Sequence, residues 1–185
     1  MPDVLIVGDG PAGLSAALLL AKNGLEVSVY GLDGTPMHKA LLLNYLGLPE
    51  IPGSQFQETA RAQVTQQGAT LHEAEVTALS ADGQGFVLTT ADGRRDEGRY
   101  LILASGSKRH LAASLGVATD ADGVVLVDRD GRTSLAGCYA LGWTSRKHKT
   151  QAIIAAGEGA AAALDILSAE QGKEFHDFDV VPAKV

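Results

Sequence analysis

Cysteine is almost missing from this sequence of 185 residues, with Cys138 the only one. A single thiol excludes an intramolecular disulfide, a zinc site of several thiolates and a redox C-x-x-C pair within the chain. Positive charge is also scarce. The 15 Lys and Arg face 22 Asp and Glu for a net charge of −7, which argues against a general surface for nucleic acid or anionic membrane. The opening Met1-Pro2-Asp3-Val4 has no basic stretch and the first lysine is Lys22. No export signal is read there, and a cytoplasmic location is the expectation. The apolar run Leu14 to Ala21, interrupted by Ser15, is too short to cross a bilayer. What remains is an ordinary globular composition, 45% hydrophobic and 20% charged, at a length that suits one domain.

Val4-Leu5-Ile6-Val7 is an unbroken apolar run that stops at glycine, the pattern of a strand buried on both faces of a parallel sheet. Ala12 to Asn23 is rich in Ala and Leu and ends at Gly24, which predicts a helix. Glu26 to Tyr30 predicts a second strand, and the right-handed crossover rule makes the two parallel. Gly31 to Gly53 holds Pro36, Pro49 and Pro52 and no periodic segment, so it is read as irregular. A helix is expected from Ser54, its N-cap with Gln57 three residues on, to Gly68. Thr70 to Leu79 predicts a strand. The turns Ala81-Asp82-Gly83 and Ala91-Asp92-Gly93 flank Phe86 to Thr90 and predict an antiparallel meander. Tyr100 to Ala104, Val124 to Val127 and Cys138 to Leu141 read as further strands, and Ile153 to Leu167 as a closing helix. The fold class is therefore α/β, a mainly parallel sheet flanked by helices with a small antiparallel meander. Residues 1–167 form one domain and 168–185 a polar tail.

Gly8-Asp9-Gly10-Pro11-Ala12-Gly13 is G-x-G-x-x-G between a strand and a helix, inside a β-α-β unit. Gly8 permits the tight turn, Gly10 lets a pyrophosphate approach the backbone, and Gly13 allows the helix to pack closely on the strand. The first-turn N–H groups and the helix dipole then face the phosphates. Pro11 costs little, because a first-turn N–H has no helical partner.

That loop, continued by Leu14-Ser15-Ala16-Ala17, resembles the start of the thioredoxin reductase-like flavoproteins, members of the FAD-dependent pyridine nucleotide-disulfide oxidoreductases. The likeness continues at Asn44-Tyr45-Leu46-Gly47, Leu103-Ala104-Ser105-Gly106, Thr133 to Gly142 and Gln151 to Gly159. The resemblance implies a Rossmann-like FAD-binding domain over residues 1–167, with FAD as cofactor. It places the pyrophosphate on the glycine loop, the adenine beside Val76 and the ribitol near Gly142. Gln151 and Ala152, opening the last helix, are implied at the pyrimidine end of the flavin. A helix N-terminus there would stabilise negative charge in the reduced ring.

The chain also departs from the family. Only Gly106 to Arg132 stands where the family has an NAD(P)H-binding domain, and the redox cysteine pair is absent, with Cys138 read as a core thiol. The acidic residue that meets the adenosine ribose aligns with Gly31, and Asp33 is the expected substitute. The family's Gly-Asp becomes Gly142-Trp143, and an indole cannot accept a hydrogen bond.

Two basic runs, Lys108-Arg109-His110 and Arg146-Lys147-His148-Lys149, are expected at the ligand-binding edge of the sheet, where they would raise a flavin potential or dock an anion. His72-Glu73-Ala74-Glu75 lacks the second histidine of a zincin, and Asp128-Arg129-Asp130-Gly131 the terminal glutamate of a calcium loop. No metal site and no catalytic side chain is assigned. The expected function is a flavoprotein oxidoreductase working between an external donor and a partner protein or small acceptor, with homodimerisation consistent with the resemblance. The alternative is a nucleotide-sensing module on the same fold.

Overall fold

The computed structural model describes residues 1–181, so the last four residues of the expected tail lie outside it. In chain order the elements are β1 (Val4–Val7), α1 (Pro11–Lys22), β2 (Val27–Gly31), β3 (Leu41–Leu42), β4 (Ile51–Pro52), α2 (Gly53–Gln66), β5 (Thr70–Glu73), β6 (Val76–Ala81), β7 (Phe86–Thr90), β8 (Arg95–Gly98), β9 (Tyr100–Leu103), α3 (His110–Ser114), β10 (Cys138–Ala140) and α4 (Ala152–Gln171). The main sheet has the order β10-β9-β1-β2-β5, and every neighbouring pair is parallel. β6, β7 and β8 form the antiparallel meander, and β3 pairs with β4 in a two-stranded ribbon.

Every residue of β1 is buried because the sheet is covered on both sides. Val4 and Ile6 pack with α1, α2 and α4, burying Leu14, Leu20, Val64, Ile166 and others. Leu5 and Val7 face the opposite layer, where Leu79, Phe86 and Leu88 of the meander and Leu111 of α3 close over them. Two-sided covering is the reason a parallel strand reads as a continuous apolar run rather than an alternating one.

α4 is long and apolar enough by length and composition to cross a bilayer. Its Gly159, Ala162, Ala163, Ile166 and Leu167 are nevertheless buried in the core layer that contains α1. It also runs four residues into the segment expected as a tail before Gly172 caps it in the left-handed region, φ 64°.

Four local expectations are corrected. Thr70 to Leu79 is two strands, β5 in the parallel sheet and β6 in the meander, with the chain leaving one sheet at Ala74. Val124 to Val127 is no strand, because it finds only a single bridge, Val125 to Thr119. Gly31 to Gly53 is not wholly irregular, since a 3-10 turn at Pro36–Lys39 and the β3-β4 ribbon lie within it. α2 begins at Gly53 with Pro52 as its cap residue, so Ser54 does not cap it.

Candidate functional site

The carboxyl ends of four parallel strands open onto one cleft of about 470 Å3. Val7 and Gly8 end β1, Tyr30 and Gly31 end β2, Ala104 to Gly106 follow β9, and Leu141 to Trp143 follow β10, all lining it. β2 and β5 lie to one side of β1, β9 and β10 to the other. The cleft thus sits where the strand order reverses, the place where open α/β sheets bind ligands.

Two long helices begin at this cleft, beside His110 and Leu111 at the start of the five-residue α3. Gly10, Pro11 and Ala12 of α1 line one part of it, and Gln151, Ala152 and Ala155 of α4 another. The first helical bond of α1 runs from the Leu14 N–H to the Gly10 carbonyl at 3.0 Å, that of α4 from Ala155 to Gln151 at 2.9 Å. Neither cap residue's side chain satisfies the amides before them. Each first turn therefore presents unpaired N–H groups and the positive end of a helix dipole. Gly8 takes φ 110°, and a side chain there would overlap the Ala104 carbonyl, so the turn passes hard against the end of β9. A methyl at Gly13 would overlap the Gly8 carbonyl, which seats α1 on β1.

Of the sixteen residues singled out from sequence, Gly8, Gly10, Pro11, Ala12, Gly31, Asn44, Val76, Ala104, Ser105, Gly106, Gly142, Trp143, Gln151 and Ala152 line the cleft. Gly13 sits behind it in the helix–strand contact. Asp33 is displaced: it does not line the cleft, and its Oδ1 is engaged by Gln57 Nε2 at 3.2 Å and His38 Nε2 at 3.0 Å. Asn44 Nδ2 donates to Gln151 Oε1 at 3.1 Å, tying the loop after β3 to the start of α4.

The basic runs are mostly engaged elsewhere. Lys108 and His110 reach the cleft, whereas Arg109, Arg146, Lys147 and Lys149 do not line it. Arg109 donates to the carbonyls of Trp143 at 2.6 Å, Arg146 at 3.1 Å and Thr144 at 3.2 Å, stapling the loop after β9 to the turn that carries Trp143. Arg146 pairs with Glu158, whose other oxygen accepts the Gly142 N–H at 2.8 Å. Lys147 pairs with Asp122 at 2.8 Å, which holds that carboxyl below its usual range. Cys138 is buried in the sheet, and burial pushes its thiol up to about 11, the behaviour of a packed core thiol.

Sequence reasoning missed a polar cluster under the glycine turn. Asp9 is 6% exposed, and its Oδ2 accepts from Arg61 Nη1 at 2.5 Å and from the Asp33 N–H at 2.9 Å. Gln57, wholly buried, donates Nε2 to the Asp9 carbonyl at 2.6 Å. Gln57 and Arg61 lie one turn apart on α2. Two polar side chains at that spacing, on the same helix face as the core residues Ala60 and Val64, were the available signal.

Strand order, glycine turn and paired helix starts together define the Rossmann-like FAD-binding fold found in thioredoxin reductases. The sequence profile described as Pyridine nucleotide-disulphide oxidoreductase matches residues 2–111 and again 45–160. The chain belongs to that family. Among its relatives, thioredoxin reductase tcpT of Claviceps purpurea is 35% identical over 113 residues, covering 56% of this chain and 34% of that protein. The thioredoxin reductase of Aquifex aeolicus is 32% identical over 107 residues, covering 56% and 33%. The chain thus spans about a third of the length of the curated relatives it matches. Among solved structures, a thioredoxin reductase from Gloeobacter violaceus superposes with a TM-score of 0.85 at 20% identity, covering 97% of this chain and 99% of that one. A ferredoxin-flavin thioredoxin reductase from Clostridium acetobutylicum gives 0.80 at 20% identity, covering 93% and 99%. Between β9 and β10 this chain has only the five-residue α3 and turns, which leaves no room for a second dinucleotide domain.

Proposed function

We propose that this chain binds FAD in the cleft and acts as a flavoprotein oxidoreductase, carrying electrons between an external donor and a partner protein or small acceptor. The observation that carries this reading is the convergence of two uncapped helix starts on one cleft at the strand-order reversal. A diphosphate fits the first start. Pro11 fixes the first helical residue at little cost, the amides of Ala12 and Gly13 have no helical acceptor and are free to donate, and Gly10 keeps the wall free of side chain. The second start, at Gln151 and Ala152, is a separate positive pole for the far end of an elongated ligand. Asn44 holds Gln151 in place there, and Trp143, 43% exposed, covers the rim.

Bound FAD would supply the redox chemistry, and the chain would supply binding, orientation and electrostatics. The N-terminus of α4 would stabilise negative charge on the reduced ring, and Lys108 would add a cation to the lining of the cleft. The only thiol is buried and strongly protonated, so electrons would leave toward an external acceptor rather than an internal thiol pair. Exposed Leu43, Leu46 and Leu48 follow Leu41 of the cleft rim and offer apolar surface to a partner chain, whether a donor, an acceptor or a second copy.

The test is anaerobic titration of the FAD-reconstituted protein. A flavin spectrum that bleaches with a reduced nicotinamide, reduced ferredoxin or dithionite and recovers with a defined acceptor is the expected result. A bound flavin inert to every donor would favour the sensing module, and absence of FAD binding would remove the reading.

A further inference from the structure

At the end of the second strand of a dinucleotide-binding β-α-β unit, an Asp or Glu ordinarily accepts hydrogen bonds from the adenosine ribose. Here that position is Gly31. The volume a side chain would occupy there is filled from across the turn: a Cβ on Gly31 would fall 2.7 Å from Asp9 Oδ2 and closer still to its Cγ and Oδ1. A side chain at 31 and the carboxylate of residue 9 therefore exclude one another. The acidic group has not vanished from the end of β2. It arrives from the glycine turn of the neighbouring strand.

The carboxylate is held by one oxygen. Oδ2 takes Arg61 and the Asp33 amide, while Oδ1 has no protein donor among the described residues, and Asp9 lines the cleft. Oδ1 is not a buried orphan but opens onto the cleft, so it is available to accept from a donor that a bound ligand brings. Phosphate would be repelled, and it already has the helix amides next door. Hydroxyl groups can donate, and a ribose presents two of them beside the diphosphate it carries. Gly31, Leu32, Gly34 and Thr35 form the adjoining wall without a competing charge.

Resting on the FAD reading above, we infer that Asp9 is the residue of this chain that accepts the adenosine-ribose hydroxyls, with Arg61 and Gln57 as its positioning residues. Asp33, the nearest acidic residue in sequence, serves to hold that carboxylate through its backbone. The same arrangement disfavours a nucleotide phosphorylated on its 2′-oxygen, which would bring an anion against Asp9.

The sole tryptophan, Trp143, lines the cleft and reports occupancy by its fluorescence. The full chain is titrated with FAD, ADP, 2′-deoxy-ADP and 3′-deoxy-ADP. The wild-type protein should hold ADP roughly tenfold more tightly than at least one deoxy analogue, the value of a hydrogen bond to a charged acceptor. Asp9→Ala should bind ADP and both deoxy analogues within about twofold of one another. The double variant Asp9→Gly/Gly31→Glu, which moves the carboxylate to the strand end where Asp9 no longer obstructs it, should regain the preference. Equal binding of ADP and both analogues by the wild type, or a full preference surviving in Asp9→Ala, overturns the assignment while leaving the flavin reading intact wherever FAD still binds. A wild-type protein that ignores FAD overturns that reading, and this one with it. Where circular dichroism shows that Asp9→Ala fails to fold, Asp9→Asn, which keeps the side chain's shape without its charge, takes its place and should cut the preference to about threefold or less, and a full preference surviving there overturns the assignment.

Discussion

Gly159 of α4 lies against the carbonyl oxygen of Ala12 in α1, so closely that a methyl group at 159 would overlap it. Next to this contact Ser15 donates its hydroxyl to the Ala156 carbonyl at 2.7 Å. The two helices therefore touch backbone to backbone near their starts, and this contact brings both positive ends to one cleft. Gly159→Ala should cost about 1–3 kcal/mol, since overpacking forces the helices apart. A urea titration of the apo-protein measures it, and FAD affinity should fall in parallel because the two helix starts no longer share one wall.

The glycine turn separates packing from binding. A methyl at Gly10 would meet nothing nearer than Thr35 Oγ1 at 3.6 Å, whereas one at Gly13 would overlap the Gly8 carbonyl. Gly10→Ala should therefore fold with stability within about 0.5 kcal/mol of the wild type, yet weaken FAD by roughly tenfold or more by crowding the diphosphate. Gly13→Ala should lose stability first, by about 1–3 kcal/mol. Equal melting losses in the two variants would contradict this division.

The cations are expected to divide in the same manner. Lys108 lines the cleft, while Lys147 is paired with Asp122 at 2.8 Å and does not. Lys108→Gln should weaken FAD by about fivefold at low salt and by less at high salt, because screening already suppresses the attraction. Lys147→Gln should leave affinity unchanged. Titrations at two ionic strengths distinguish them.

A pH dependence follows from His72, which stacks on Tyr30 with ring centroids 4.7 Å apart. Burial, and then the neighbouring Arg94 guanidinium, hold its pKa below the usual 6.5. Asp96, facing the same ring, opposes the shift without reversing it. With the folded value depressed, the unfolded chain takes up the proton first. Stability is thus complete above about 6.5 and is lost as pH falls below it. Urea midpoints at about pH 8 and pH 5 should differ, and His72→Phe, which keeps the stack without the titration, should flatten that difference. An unchanged slope in His72→Phe would assign the dependence to other groups.

Much of the fold was legible because its signals are local. Val4 to Val7, the glycine turn and the Ala-rich helix after it declare a strand, a tight turn and a helix within twenty residues, and the connection rule makes the next strand parallel. The meander announced itself through two Asp-Gly turns. Short apolar runs were less legible. Val124 to Val127 has the composition of a strand and lacks a neighbouring edge to pair with, and Thr70 to Leu79 hides a change of sheet, since pairing partners are not written in a segment's own residues.

The amino-acid sequence by itself settled that a strand, a glycine turn and a helix start would meet at one place, because backbone sterics and hydrophobic period act over a few residues. Only the tertiary structure decided which charges face that place. It turned Asp33, Arg109 and Arg146 to other work, brought Lys108 to the wall, and set Asp9 in the space that Gly31 leaves open. Such assignments depend on which side chain fills a volume between distant segments, and close packing resolves that only when the whole chain has folded.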